Sequence, residues 1–254
     1  MLIGLLGPLI VSNQGVELRV PAGRQRSLLA ALAARADDVI AIDVLADVVW
    51  DGSPPRSWRV TIRNYVRRLR EVLGHEVGGR ILTRSPGYLF RVGADEVDML
   101  RFAALCKQGR LNARAGDWQQ ASASFAAADG LWRGVPFADI PSQRLRDDYV
   151  PYLTEARLSA IEARIDADLR VCPSRAADVI VELQQLTKHR PEREQAKALL
   201  MLALYRCGRQ GEALAAYRDA WRYSTRELGM EPGPQLAGLH QRILDRDPRL
   251  LAVL

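Results

Sequence analysis

Arg56-Ser57-Trp58-Arg59-Val60-Thr61-Ile62-Arg63-Asn64-Tyr65-Val66-Arg67-Arg68-Leu69-Arg70-Glu71-Val72-Leu73 decides how this chain is read. At 100° per residue, Trp58, Ile62, Tyr65, Val66, Leu69, Val72 and Leu73 share one side of a helix, the pattern of a face packed against a core. Arg59, Arg63, Arg67 and Arg70 form a second face, spaced by four, four and three residues. Four guanidinium groups over about three turns suit a helix lying in a duplex groove, because arginine pairs bidentately with guanine or clamps a phosphate. Arg59, Val60, Arg63 and Asn64, towards the helix start, are the candidate base contacts. Val60 offers methyl groups to thymine and Asn64 an amide to an adenine edge. Arg67, Arg68 and Arg70 are the candidate phosphate contacts.

The flanking sequence gives this helix a context. Met1 to Leu6, Leu9 to Ser12 and Val16 to Val20 are short apolar or alternating runs broken by Gly7-Pro8 and Asn13-Gln14-Gly15, which predicts a small antiparallel sheet. A helix is expected over Arg24 to Arg35 with Leu28, Leu29 and Leu32 inward, then a strand at Val39-Ile40-Ala41. A second helix is expected from an Asp43 N-cap to Trp50, stopped by Asp51-Gly52-Ser53-Pro54-Pro55. Behind the arginine helix, Ile81-Leu82-Thr83, a turn at Arg84-Ser85-Pro86-Gly87 and Tyr88 to Val92 read as a hairpin, or wing. Gly87 is expected to take a backbone conformation other residues resist, and Arg84 to reach a phosphate or the minor groove. The order of sheet, two helices, arginine-striped helix and hairpin predicts an α+β winged helix over residues 1–93.

Charge supports the division. Residues 1–93 carry 13 Arg and no Lys against 8 acidic residues, whereas the remainder holds 23 basic and 22 acidic side chains. The excess positive charge therefore sits in the segment expected to meet a polyanion. From residue 94 strand signals vanish, and helices are expected over 98–115, 118–129, 142–170, 174–188, 192–207, 210–228 and 234–246. Ala121, Phe125 and Ala128, like Ala213, Tyr217 and Ala220, recur at offsets 0, 4 and 7, which predicts an all-α, tetratricopeptide-like domain over 94–254. Ala177, Val181 and Gln184 match that pattern poorly. Such arrays offer a concave surface to a partner. The turn Leu131 to Pro141 is expected to pack Trp132 and Phe137 into the helical core.

Other chemistries find little footing. Phosphate-loop, dinucleotide, HExxH and GxSxG signatures are absent, so no catalytic residue and no cofactor is expected. Cys106, Cys172 and Cys207 contain no CxxC pair, and His75, His189 and His240 lack ligand spacing, so no metal site or disulfide framework is expected. No run approaches eighteen apolar residues, and Met1 to Leu6 reads as a strand rather than a signal peptide. No membrane partner is expected, and the chain is placed in the cytoplasm with the nucleoid. The competing reading is a helical interaction adaptor whose basic domain meets RNA or an acidic protein.

Several motifs taken in order make the chain resemble the Streptomyces antibiotic regulatory protein family. They are Leu5-Leu6-Gly7-Pro8-Leu9, Gly23 to Leu29, Leu45 to Trp50 with Gly52 and Pro54-Pro55, Thr61 to Arg70, Thr83 to Tyr88, Leu131-Trp132-Arg133-Gly134, and Leu228 to Pro234 with Leu236. The resemblance covers essentially the whole chain. It implies an OmpR-type winged helix joined to a bacterial transcriptional activation domain, and a transcription activator that binds promoter direct repeats in double-stranded DNA as a head-to-tail homodimer and helps recruit RNA polymerase. It places the recognition helix at Arg56 to Leu73 and the wing at Arg84 to Tyr88. Trp58 stands where many relatives carry a small residue, and Arg63-Asn64 replaces a commoner polar pair. With no receiver-type segment ahead of the winged helix, two-component phosphorylation control is not implied. The chain reads as a short regulator or the front part of a longer one.

Overall fold

Gln14 and Gly15 both hold positive φ (51° and 82°) in the computed structural model, the backbone combination that closes a two-residue hairpin with the twist its strands need. The hairpin belongs to a three-stranded antiparallel sheet of β1 (Leu2–Gly4), β2 (Ile10–Asn13) and β3 (Val16–Glu17), with Ile3 opposite Val11 and Ser12 opposite Glu17. The structure describes residues 1–21 and 23–251, which pack as two units. The first comprises Met1–Lys107 with Ala127–Leu158, and the second Gln108–Ala126 with the chain from Ser159 onward.

In the first unit the sheet is followed by α1 (Arg24–Ala34), β4 (Ile40–Ala41), α2 (Ile42–Trp50), α3 (Trp58–Val72), α4 (Gly74–Gly78), β5 (Ile81–Arg84) and β6 (Gly87–Phe90). Leu28, Leu29, Leu32, Leu45, Ile62 and Leu69 are fully buried among the first three helices. Asp43 is not the N-cap of α2. That helix starts at Ile42 with Ala41 at the cap position, two residues earlier than an Asp43 cap would place it, and the Asp43 carboxylate accepts the Val44 N–H at 2.9 Å from within the first turn. An acidic group there still complements the helix dipole.

The wing strands pair in register from Ile81 opposite Phe90 to Arg84 opposite Gly87, and β4 adds to the other side of β6. Gly87 is required for a different reason from the one the sequence suggests. It lies within the strand, and a Cβ there would collide with the Ile40 carbonyl oxygen and come within 2.8 Å of the Ile42 nitrogen. Close approach of two backbones, rather than positive φ, excludes a side chain.

The first unit continues past residue 93. Ile3 bridges in parallel to Val97, and α5 (Asp98–Arg114) begins directly behind it. Asp98, 3% exposed, accepts the Leu5 and Leu6 amides at 2.7 and 3.0 Å. Its second oxygen also meets the Arg133 guanidinium at 3.0 Å. Arg133 in turn donates to the Pro8 carbonyl at 2.7 Å, while the Arg133 and Phe137 amides donate to the Leu6 and Leu5 carbonyls. Gly4 leaves the room this guanidinium occupies. The segment Leu131 to Pro141 therefore fastens onto the strand sheet. Phe137 is fully buried beside Tyr149, and Trp132 meets the Phe102 ring edge-on at 5.5 Å.

Further along, α7 (Gln143–Val171) follows α6 (Trp118–Asp129). Ser142 lies just ahead of α7. Its hydroxyl donates to the Val48 carbonyl at 2.7 Å and accepts the Leu145 amide, so one side chain serves both the end of α2 and the first turn of α7. Burial raises the Asp51 pKa, but hydrogen bonds from the Arg144 and Gln143 amides and the Ser142 hydroxyl outweigh it and hold the carboxyl below the ordinary aspartate value.

The second unit is built on α8 (Ala176–His189), α9 (Glu194–Arg206), α10 (Gln210–Glu227) and α11 (Pro234–Leu244), with a core that includes Ile165, Leu183, Ala196, Met201, Ala213 and Ile243. The repeat spacing extends to α8 in a shifted register. Val181 is 61% exposed, whereas Ala176, Ile180 and Leu183 are buried at offsets 0, 4 and 7. The fold is thus an α+β winged helix followed by an all-α, tetratricopeptide-like region.

Asp98→Ala strips the acceptor from two buried amides and leaves Arg133 without its partner. Urea unfolding should show a loss of about 3–5 kcal/mol, the range for breaking a buried charged pair. Asp98→Asn, which keeps one acceptor oxygen, should lose less.

Candidate nucleic-acid interface

The apolar side of α3 is seated as its periodicity demands. Ile62, Val66, Leu69 and Leu73 are at most 3% exposed, and Tyr65 stacks on Trp50 of α2 with ring centroids 6.2 Å apart. Trp58 is half-buried and carries the Arg59 guanidinium over its ring at 4.6 Å. The ring thus serves as a platform for the first arginine of the stripe.

On the opposite side Arg59, Val60, Arg63, Asn64, Arg67 and Arg68 are all exposed. Arg63 and Arg68 make no ion pair or hydrogen bond among the described residues. Arg67 donates to Glu71 at 2.8 Å, one turn on and likewise exposed. An exposed pair of that spacing contributes only about 0.3–0.5 kcal/mol, so it gives way readily to a competing anion.

Arg70 belongs to a different environment. It is half-buried, and its Nε and Nη2 both donate to the Ile81 carbonyl, at 3.0 and 2.6 Å, with Nη2 also 3.1 Å from the Thr83 hydroxyl. The guanidinium expected at a phosphate instead ties the helix to the first wing strand. Its reach is set by α4, which the sequence reading missed. A Cβ at Gly78 would come within 2.7 Å of the Arg70 Cα, so only glycine lets this turn fold back onto α3. The adjacent pair Gly78-Gly79 was the available signal.

At the wing tip, Arg84 is exposed and makes one long contact, 3.5 Å, to the Thr83 carbonyl. The Arg84 and Gly87 partners close a two-residue tip, Ser85-Pro86, joined by a cis peptide bond. The structure thus brings Arg59, Val60, Arg63, Asn64, Arg67 and Arg68 onto one helix face, places Arg84 on the hairpin and withdraws Arg70 into the link between helix and hairpin. Among the described residues no cluster of His, Cys, Asp and Glu forms a metal site, and no helix is long and apolar enough to cross a membrane.

Comparison with known proteins agrees with this architecture. Residues 97–244 match the model of the bacterial transcriptional activator domain. The regulatory protein AfsR of Streptomyces griseus is 38% identical over 97% of this chain, which spans only 25% of that relative. The regulatory protein DnrI of Streptomyces peucetius is 32% identical over 98% of this chain and 93% of its own length. In a solved structure, Mycobacterium tuberculosis EmbR in complex with a low affinity phosphopeptide superposes with a TM-score of 0.90 at 33% identity, covering 97% of this chain and 65% of that one. AfsR and DnrI are both described as regulatory proteins. The chain belongs to the Streptomyces antibiotic regulatory protein family, in which an OmpR-type winged helix is joined to a bacterial transcriptional activator domain.

Proposed function

We propose that this regulator is a sequence-specific transcriptional activator that lays α3 in the major groove of promoter DNA. The observation that carries the reading is a row of outward guanidinium groups, with Arg63 and Arg68 unpaired among the described residues, on a helix whose other face seats Ile62, Val66 and Leu69 in the core. From Arg59 to Arg67 the helix rises about 12 Å. That distance covers three to four base steps at about 3.4 Å each. Arg59, Val60, Arg63 and Asn64 then stand at base edges, Arg67 and Arg68 at phosphates, and Arg84 at a phosphate or in the minor groove. Arg70 acts by holding the wing at a fixed distance from the helix. The remaining steps of the proposal, binding of direct repeats as a head-to-tail homodimer and recruitment of RNA polymerase, are what the sequence resemblance implies.

Arg63→Ala should narrow the gap between promoter and random duplex by about 1–3 kcal/mol in equilibrium titrations, the range for a lost bidentate base contact. Arg68→Ala should weaken both duplexes alike and flatten the plot of log affinity against log salt by about 0.9, one phosphate contact. Equal affinity of the unaltered chain for promoter DNA, random duplex and single-stranded RNA would rule out the proposal in favour of the adaptor reading.

Arg70→Ala should weaken specific and random duplexes together and lower stability by about 1.5–3 kcal/mol, the range for hydrogen bonds made by a charged group. Faster amide exchange in β5 and β6 would mark its effect as acting through the wing. Unchanged exchange together with a lower salt slope would return Arg70 to a phosphate.

A further inference from the structure

Lys197, in α9, is only 7% exposed, yet it makes no hydrogen bond or ion pair among the described residues. Its ammonium lies over the Tyr223 ring, 4.7 Å from the centroid, and lines a groove of about 530 Å³ walled by α8, α9 and α10. A largely buried lysine whose ammonium has no acceptor opposes folding, and a ring face offsets only part of that cost. The nearby carboxylates, two of which line the same groove, are paired with other groups. Glu212 takes a two-pronged bond from Arg209 at 2.7 and 2.6 Å, Asp219 pairs with Arg222 at 3.2 Å, and both Glu194 oxygens accept the Gly233 amide. Burial pushes the Lys197 pKa below the ordinary lysine value, while the charges of Glu194, Glu192 and Asp219 oppose the shift.

The groove is lined by both signs of charge, with Glu212 and Asp219 on the α10 wall each paired to an arginine, so that Lys197 is the buried lining charge with no hydrogen-bond or ion-pair partner among the described residues. Leu200, Leu204 and Ala220 give it an apolar floor, and exposed Lys188 adds a second cation at the edge. Its volume falls within the range of small-ligand sites, which are largely apolar with a few placed polar groups.

We infer that this groove is a binding site for a carboxylate carried on an apolar body, with Lys197 receiving the carboxylate and the Leu200–Leu204 floor receiving the body. Two sources share that chemistry: a free organic acid and the C-terminal carboxylate of a peptide ending in an aliphatic residue. The site lies wholly in the second unit and does not depend on how α3 meets DNA.

Calorimetric titration of the full chain with octanoate and with N-acetyl-Ala-Ala-Leu, each against its amide, tests the inference. Saturable binding of at least one acid, ten-fold or more tighter than its amide, is expected. The acid that binds identifies the source. Lys197→Met, which keeps the length of the side chain and removes the charge, should abolish the preference for the acid while leaving Tm equal or higher. Failure of both acids to saturate, equal binding of acid and amide, or an unchanged preference in Lys197→Met would overturn it. A fall in Tm for that variant would also overturn it, because it would make the ammonium a structural group.

Discussion

The Asp98 carboxylate is the group around which the first unit is organised. A buried carboxylate is costly unless each oxygen is answered, and here two amides from the Leu5-Leu6 turn and the Arg133 guanidinium answer it. Because those partners come from residues far apart in sequence, one charge fixes the edge of the strand sheet, the start of α5 and the segment after α6 at once. The parallel bridge from Ile3 to Val97 and the backbone bonds from Arg133 and Phe137 complete the seam. The winged helix therefore does not end where its sequence pattern ends. The strands that open the chain are finished by residues about 130 positions later.

The same division of labour appears on a smaller scale in α3. One side of the helix is spent on the core, and one arginine at its C-terminal end is spent on the hairpin. What remains outward is a set of side chains with few obligations to the fold. Arg70 and Gly78 make helix and wing a single mechanical element, since α4 holds the chain against the Arg70 backbone while the guanidinium grips β5.

Much of this was legible in the sequence because it depends on period and punctuation. The inward row Ile62, Val66, Leu69 and Leu73 and the register of the wing follow from helix and strand periodicity alone. Three things did not follow. Arg70 shares the spacing of the exposed arginines, and only the close return of α4 separates it from them. Asp98 looks like an ordinary acidic residue at a helix start, and its partners are more than ninety residues upstream and thirty-five downstream. In α8 the buried triplet Ala176, Ile180 and Leu183 sits one position ahead of the triplet that the small residue Ala177 seemed to mark. Long-range satisfaction of polar groups and one-residue shifts on a helix leave no local trace. The sequence motifs Leu5-Leu6-Gly7-Pro8 and Leu131-Trp132-Arg133-Gly134 were visible as patterns, but their physical meaning, that one closes onto the other, required coordinates.

The separation of duties within α3 has an evolutionary corollary. Replacements at Arg59, Val60, Arg63 and Asn64 fall among solvent-facing changes, which typically alter stability by about 0.5 kcal/mol or less. A duplicated gene can therefore drift at these positions without passing through an unfolded product. The scaffold that holds the helix is locked by buried contacts, while its outward row is almost free to change, so one architecture can carry many different exposed faces.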